Sequence, residues 1–317
     1  MLALMSQRTM LDDSYGGALD RERLKMLMTR SNRRGGRRLA GHLAILLGTG
    51  TSVAMAPSLW WQVPAMIVHE GVLIGLFCGL HETVHRTAFR GRRVNDVVAT
   101  VLGFFVFVPA VHFRAFHMDH QRFTQDPEND PELITAKPVS LAPYFWHVLG
   151  IPFTRDQVAG IVRHALGRVS DSFVAGTDRP TVIREARIHF ALYALAAASV
   201  FAGWSAPLVY WVVPAFLGQP LLRLVLLAEH SGCALDTNMH ANTRTTRTNP
   251  LVRFVMWNMP YHIEHHVYPG VPLHALPSAH SEMKGVLGVT APGYLHFHRG
   301  YIRALLNGQG QAFVNPN

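Results

Sequence analysis

Three short clusters of histidine stand out in a chain of 317 residues that contains 19 histidines. Within a cluster the spacing is three or four residues, which places imidazoles one turn apart on one face of a helix. Neutral imidazole binds zinc, copper, iron and nickel, so the ligand type leaves the metal open. The clusters together exceed the four ligands of one zinc ion, and two metal ions are the economical solution. The clusters are His81 and His85, His117 and His120, and His262, His265 and His266.

The first cluster, HETVH over residues 81–85, also matches the HExxH pattern of zinc proteases. A membrane protease of this class would bind one zinc ion and use Glu82 as its base. A membrane receptor with a structural metal site is another alternative. Such a receptor would keep a defined ligand affinity after loss of the metal.

The elements that must position these clusters are apolar helices. The chain is 49% hydrophobic and 15% charged, whereas a soluble domain averages about 25% charged residues. Five blocks are almost free of charge, and a helix that crosses the hydrocarbon core needs roughly 20 such residues. The composition therefore predicts an all-α integral membrane protein. The blocks are 39–57, 60–80, 97–111, 188–204 and 207–228.

Membrane topology constrains the metal hypothesis, because the ligands of one centre must lie on one membrane face. Two hairpins, 39–80 and 188–228, predict four transmembrane helices. Block 97–111 separates the first two clusters, is short, contains Gly103 and ends near Pro109. We therefore expect a re-entrant or interfacial segment there, and a cytoplasmic histidine-rich cap.

The net charge of +9 comes from basic residues that flank apolar blocks. Arginines concentrate at 30–38, before the first block, and at 86–93, after the second. Positive charge of this kind marks the cytoplasmic side of a membrane protein and attracts anionic lipids. We expect membrane lipids and no nucleic acid as partners. The expected location is the inner or plasma membrane of a bacterium, with the metal site facing the cytoplasm.

One membrane domain is the simplest division of the chain. It covers 38–285, with a polar cytoplasmic N-terminal segment over 1–37 and a C-terminal tail over 286–317. The only cysteines are Cys78 and Cys233, which imply no disulfide framework.

The residues around the clusters extend the pattern beyond histidine, and with them the sequence resembles the membrane fatty acid desaturase superfamily. That superfamily also includes hydroxylases and ketolases. The likeness covers roughly residues 40–285. Its most specific stretches are HETVH over 81–85, FRAFHMDHQRFTQDP over 113–127, AEH over 228–230, and NMPYHIEHHVYPGVPLHALP over 258–277.

The resemblance implies two irons held by histidines, activation of O₂, and electrons from a separate protein. It implies His230 as an additional ligand between the second and third clusters. No catalytic residue is implied beyond the metal centre, and no other cofactor. Carried over by position, the metal ligands are His81, His85, His117, His120, His230, His262, His265 and His266.

The chain departs from the family at Gln121, where relatives usually have a second adjacent histidine. Glutamine offers a weaker neutral oxygen, and either that oxygen or a water would complete the site. His112 is a nearby substitute ligand. Asn258 matches an asparagine that approaches the metal through water, although an ordinary turn residue is the alternative. Gln121 raises the chance of a divergent oxidation or of lost activity.

The expected reaction removes two hydrogens from adjacent carbons of an acyl lipid or acyl thioester with O₂. No haem-binding extension or glycine-rich nucleotide loop is evident, so electrons must come from an external ferredoxin- or cytochrome-type donor with its reductase. The histidine clusters are shared within the superfamily. A hydroxylase or ketolase that acts on a lipid, terpenoid or small amphiphile therefore remains an alternative.

Other polar residues have two readings each. His69 and Glu70, inside the second apolar block, either line a substrate path or form hydrogen bonds between helices. Arg244 and Arg247 either bind an acidic partner or headgroup or simply carry surface charge. Carboxylates beside the clusters are candidates to orient ligand imidazoles. They are Asp119, Asp126, Glu229 and Glu264.

Overall fold

A computed structural model describes residues 19–316, which fold into helices and one small pair of strands. Residues 1–18 of the predicted N-terminal segment lie outside the described residues. The elements up to residue 165 are α1 Arg21–Leu27, α2 Asn32–Ala54, α3 Leu59–Ile74, α4 Leu76–Val84, α5 Arg92–Phe105, α6 Ala110–Phe123, a 3-10 helix Pro131–Ile134, α7 Leu141–Val148 and α8 Ile151–Ala165. The later elements are α9 Arg179–Phe201, a π-helical turn Leu208–Val212, α10 Val213–Leu217, α11 Gln219–His230, α12 Met239–Asn242, β1 Arg244–Thr246, α13 Pro250–Val255, α14 His262–Val267, α15 Leu276–Met283, β2 Val289–Ala291, α16 Tyr294–Leu306 and α17 Gly310–Val314.

Among residues 19–316, two helical runs are long and apolar enough to cross a membrane, Leu59–Val84 and Leu208–His230. The pair α5 and α6 would be a third if it forms one bent span. Helices α2 and α9 each have 23 residues, or about 35 Å, but they are not apolar enough to meet the same test. The chain is thus mostly helical with two or three candidate spans, and the count of four stays a prediction.

Helices α5 and α6 meet at a bend of 103°, close to where Gly103 and Pro109 predicted a break. A Cβ atom on Gly103 would lie 2.3 Å from the carbonyl oxygen of Val108, so only glycine permits this close turn. The carboxylate of Glu185 in α9 accepts hydrogen bonds from the backbone N–H groups of Ala110 (3.1 Å) and Val111 (2.8 Å). A carboxylate at a helix N-terminus satisfies free donors and complements the helix dipole. The bend and this cap direct α6 back towards the end of α4.

Polar residues inside the apolar helices tie the helices together. The His69 ring in α3 contacts Thr49 Oγ1 in α2 at 2.9 Å and the carbonyl oxygen of Tyr210 at 3.0 Å. Trp257 Nε1 donates to Nδ1 of the buried His42, also in α2, at 3.0 Å. Interhelical hydrogen bonds of this kind stabilise helix association in an apolar environment. The reading of His69 as a helix–helix contact therefore fits the structure.

Residues beyond 285 pack onto the helices that carry histidines. β2 pairs with β1 in parallel, with Thr245 opposite Thr290. In α16, Nε2 of His298 lies 2.8 Å from the carbonyl oxygen of Leu224 in α11. The hydroxyl of Tyr301 donates to the carbonyl oxygen of Pro138 at 2.7 Å. The C-terminal segment thus braces α11 and β1 from one side.

Candidate metal centre

Histidines from α4, α6, α11 and α14 converge in two groups whose ligand atoms lie within 4.8 Å of one another in each group. In the first, Nε2 of His85 lies 2.7 Å from Nε2 of His117 and 3.1 Å from Nε2 of His265. These separations match neighbouring ligands at right angles around a metal, which are about 3.0 Å apart for bonds of about 2.1 Å. The first group is His81, His85, His117 and His265, and the second is His120, His230 and His266.

His262 joins the second group at its edge. Its Nε2 lies 3.2 Å from Nε2 of His230 and 3.2 Å from Nε2 of His266. The structure therefore brings all eight predicted histidines together. The roles of these residues as metal ligands remain a prediction.

Two helices contribute to both groups, and their sequence spacing explains how. In α6, His117 belongs to the first group and His120 to the second. A step of three residues turns a helix by about 300°, short of a full turn, so the two rings point in different directions. In α14, His265 faces the first group. His262 and His266, four residues apart, face the second. The two groups are consequently held at a fixed separation by shared helices.

Hydrogen bonds fix the proton positions in the second group. The Nδ1–H of His120 donates to Oδ1 of the buried Asp130 at 2.9 Å. Nδ1 of His230 lies 3.2 Å from the carbonyl oxygen of Asn242, which can only accept. A neutral imidazole carries one N–H, so a ring that donates through Nδ1 presents a bare lone pair at Nε2.

The third ring of this group follows the same rule. The hydroxyl of Thr124 donates to the carbonyl oxygen of His120 at 2.7 Å, and it lies 3.1 Å from Nδ1 of His266. Because the hydroxyl proton is used, Nδ1 of His266 is the donor in this second contact. The Nε2 lone pairs of His230 and His266 then converge with Nε2 of His120 inside 4.8 Å. Such an arrangement is repulsive unless a cation lies between them, so the residues fit a metal ion.

The first group offers buried nitrogens that the protein leaves without partners. Both ring nitrogens of His81, and Nδ1 of His265, are buried and make no hydrogen bond within the described residues. A buried polar atom without a partner costs about 1–3 kcal/mol, and coordination of a metal through Nε2 of His81 would remove part of that cost. The ring of His117 stacks on Phe113 with centroids 5.5 Å apart, so the apolar core closes one side of the group.

Burial keeps the third cluster in the form that binds metal. It lowers the pKa of His265 to about 3 and holds the pKa values of His262 and His266 well below their usual range. The neutral ring is therefore the form present at pH 7. Metal ions bind the deprotonated nitrogen.

Carboxylates adjoin the second group. Oε2 of Glu132 lies 3.2 Å from Nε2 of His120, and Oε2 of Glu229 lies 3.5 Å from Nε2 of His262. The carboxylate of Glu132 beside the site would offset part of the charge of a bound cation. Glu229 was among the acidic residues expected near the ligands.

A different set of contacts holds the third cluster in place. The Thr245 hydroxyl in β1 accepts from the backbone N–H of Ile263 at 3.1 Å and donates to Glu264. Glu264 also pairs with Nδ1 of His280 in α15. Glu264 thus orients the backbone of α14 through β1 and α15 rather than contacting a ligand imidazole.

Gln121, Asn258 and His112, the other candidates, occupy different places. Both amide atoms of Gln121, one turn after His117, are buried and make no hydrogen bond within the described residues. Asn258 donates from Nδ2 to the carbonyl oxygen of Leu273 at 2.7 Å and has a positive φ of 65°, which suits a turn residue. His112 lies with His164 and Asp171, in neither of the two groups.

Glu82 of the HETVH pattern is turned away from the histidines. Its Oε1 accepts from the Thr87 hydroxyl at 2.6 Å and from the backbone N–H of Leu273 at 3.0 Å. A protease base must reach a metal-bound water. Glu82 instead joins the segment after α4 to the segment after α14.

Sequence reasoning missed Asp130 and misassigned Arg244. The sequence pointed to Asp126 as the carboxylate after the second cluster. Asp126 instead caps a turn, because it accepts a hydrogen bond from the N–H of Glu128 at 2.9 Å. The carboxylate that contacts a histidine is Asp130, four residues later. Arg244 is buried and donates to the carbonyl oxygens of Ala228 (2.6 Å) and Ser231 (2.7 Å). Only Arg247 is exposed and available to a partner.

Comparison with known proteins gives two matches. The family model described as Fatty acid desaturase matches residues 58–298. A protein named dihydrorhizobitoxine desaturase, from Bradyrhizobium elkanii, is 26% identical over 252 residues, which cover 74% of this chain and 70% of that protein. The matched region contains every histidine of the two groups.

Proposed function

Since the chain belongs to the fatty acid desaturase family, we propose that it is a membrane-bound, O₂-dependent di-iron oxidase that desaturates an acyl lipid or acyl thioester. The observation that carries the proposal is the convergence of buried imidazole nitrogens in two adjacent histidine groups. The name of the relative as a desaturase supports removal of hydrogen over insertion of oxygen.

The eight histidines would hold two irons, four in each group when His262 is counted with the second. Iron bound there would supply the activation of O₂ and the oxidation of an unactivated C–H bond. The protein's own part is to orient the rings and to exclude water. Asp130 fixes the ring of His120, and Phe113 closes the apolar side of His117. Rigid supports of this kind keep ligand geometry constant through a reaction.

The proposed topology has four crossings, with α5 and α6 as a re-entrant pair and the histidine-rich cap in the cytoplasm. The contact of His85 with His117 supports the re-entrant pair, since α4 and α6 must end on the same face. Arginines before α2 and after α4 favour the cytoplasmic side for that face. The proposed location is a bacterial plasma membrane, where anionic lipids would surround these arginines.

An apolar groove of about 260 Å³ supports a substrate with a hydrocarbon chain. It is lined by α2, α3, α4 and α5, with Leu76 and Leu102 on its wall. Leu76 lies five residues before His81 on α4, so the groove follows the helix that ends at the first group. An acyl chain in the groove would keep its methylene groups in apolar surroundings.

A smaller amphiphilic substrate is the second candidate, because the relative's name refers to dihydrorhizobitoxine. Hydroxylation or ketolation within the same superfamily is a further option, because Gln121 departs from the usual histidine. Product analysis distinguishes these reactions.

The electron donor is proposed to be a ferredoxin- or cytochrome-type protein with its reductase, and the exposed Arg247 would suit an acidic docking surface.

Glu82→Gln separates the oxidase from the zinc protease suggested by HETVH. In the oxidase the change keeps one acceptor for Thr87 and Leu273, so we expect the iron content and most of the activity to remain. A protease would lose its base and nearly all turnover. Proteolysis by the parent chain that Glu82→Gln abolishes, or total loss of oxidation in a correctly folded, iron-loaded variant, would contradict the assignment.

Metal analysis combined with lipid profiling tests the proposal as a whole. The purified chain is expected to contain two irons, and a host expressing it should gain an unsaturated product in air but not under argon. A His117→Ala variant controls for the host's own enzymes. Zinc alone, with lipids and small amphiphiles unchanged in air, would overturn the proposal.

A further inference from the structure

A third group of metal-ligating side chains lies apart from the two histidine groups. His112 is in the first turn of α6, His164 is in the last turn of α8, and Asp171 is in the loop before α9. Their ligand atoms lie within 4.8 Å of one another. Sequence reasoning considered His112 only as a substitute ligand for the di-iron centre, and it did not single out His164 or Asp171.

The geometry of this group resembles three corners of a tetrahedron. Nε2 of His164 lies 3.0 Å and Nε2 of His112 lies 3.4 Å from the same carboxylate oxygen, Oδ2 of Asp171. Ligands about 2.0–2.1 Å from a tetrahedral metal are about 3.4 Å apart. Nε2 of His112 is buried and has no hydrogen-bond partner within the described residues, despite the nearby carboxylate. The shorter contact is thus that of His164 with Asp171, and His112 faces the same carboxylate oxygen at the longer distance.

The surroundings keep His164 and Asp171 in their metal-binding forms. The side chain of His164 is 3% exposed, and burial lowers its pKa, so the ring is neutral at pH 7. His112, followed by His164, holds the pKa of Asp171 well below its usual range, so its carboxylate is ionised. Two imidazoles and one carboxylate form a donor set found in zinc sites with one open position for water.

We propose that His112, His164 and Asp171 bind a divalent transition metal ion, with zinc as the best match to the donors, and that this ion has a structural role. The ion joins α6, α8 and the loop that leads to α9. Phe173 in that loop packs on the ring of His112 with centroids 5.2 Å apart and on Phe116 at 5.5 Å, so the loop already lies over α6. The site is independent of the proposed oxidation, because it shares no residue with the two histidine groups.

Arg163 opposes this ion. Its Nη2 lies 3.3 Å from Oδ1 of Asp171 and 3.5 Å from Nε2 of His164. The Arg163 side chain is 45% exposed, so it can turn into solvent when a cation enters. A nearby positive charge weakens cation binding. The affinity of the site is therefore set by competition between the metal and Arg163.

The experiment measures metal bound per chain in the iron-loaded, full-length protein in detergent. Zinc is added and the excess is removed by dialysis. We expect His164→Ala and Asp171→Asn each to bind one zinc fewer than the parent while the iron content is unchanged. His296→Ala, which removes an exposed histidine of α16, should bind as much zinc as the parent. Equal zinc in all four proteins would overturn the proposal.

Arg163→Gln provides a gain of affinity that misfolding cannot imitate. Removal of the competing charge should tighten zinc binding about tenfold. Cobalt added in place of zinc should give the visible absorption of tetrahedral coordination, and His164→Ala should abolish it. If Arg163→Gln binds zinc no more tightly, or the cobalt spectrum is the same in His164→Ala, the three residues form only a hydrogen-bonded ion pair. The function of the di-iron centre would be unaffected by that result.

Discussion

Nδ1 of His120 donates to Oδ1 of Asp130 at 2.9 Å, and both side chains are buried. Oδ2 of the same carboxylate accepts from the backbone N–H of Gln125 at 2.8 Å. Asp130 is therefore held from two sides and in turn fixes the ring of His120. The relation links the loop after α6 directly to the second histidine group.

Asp130→Asn should weaken metal binding in the second group by about 10- to 100-fold, as loss of a carboxylate behind a ligand histidine usually does. The first group should keep its iron. Iron per chain after dialysis against a weak chelator measures the effect. Glu128→Gln, an exposed change in the same loop, is the control. Equal iron retention in Asp130→Asn and the control would show that this carboxylate does not support a ligand.

Gln121→His should increase iron retention in the first group. Gln121 follows His117 by one turn of α6, and its buried amide makes no hydrogen bond within residues 19–316, so a ring there has no protein partner to displace. Iron content and product yield are compared with those of Gln121→Asn, which keeps an amide. If Gln121→His and Gln121→Asn retain iron equally, residue 121 does not lie in a ligand position.

Arg244→Gln should lower the free energy of unfolding by about 1–3 kcal/mol, because carbonyl oxygens at the end of α11 lose their donor. These carbonyl oxygens are those of Ala228 and Ser231, which flank Glu229 and His230 in the chain. Iron loss from the second group should therefore accompany the loss of stability. Thermal unfolding in detergent and iron analysis measure both. As the control, Arg247→Gln should match the parent in both thermal unfolding and iron content. A destabilised Arg247→Gln together with a stable Arg244→Gln would contradict the structural role given to Arg244.

His298 makes stability depend on pH. Burial lowers its pKa below the usual 6.5, and the hydrogen bond from Nε2–H to the carbonyl oxygen of Leu224 offsets only part of that shift. Nδ1 accepts from the hydroxyl of Tyr144. The unfolded chain binds a proton at this ring first as pH falls, so folding stability decreases below about pH 6.5. The unfolding temperature should fall between pH 7 and pH 5, and less so in His298→Gln. An identical fall in the variant would assign the pH dependence to other groups.

The sequence predicted the histidines well because metal ligation demands particular residue types at helical spacing. The break near Pro109 and the meeting of the three histidine clusters follow from such local patterns, whereas His230 was implied by the family resemblance. Asp130 was not predictable from the sequence, because several acidic residues follow the second cluster. The structure shows that Asp126 is used in a turn and that Asp130 contacts His120. The burial of Arg244 depends on Phe297, more than fifty residues later, whose ring lies 4.5 Å from the guanidinium. Contacts between distant segments leave no periodic trace in a single sequence.

The pairing of β1 with β2 has a consequence for the order in which the protein is made. β1 supports the third cluster through Thr245, and its only strand partner among residues 19–316 is β2, which follows every histidine of the two groups in the chain. During synthesis the ribosome therefore releases all eight histidines before it releases β2, the strand that pairs with β1. We expect iron to be inserted after translation has passed residue 291, into a chain that has already entered the membrane.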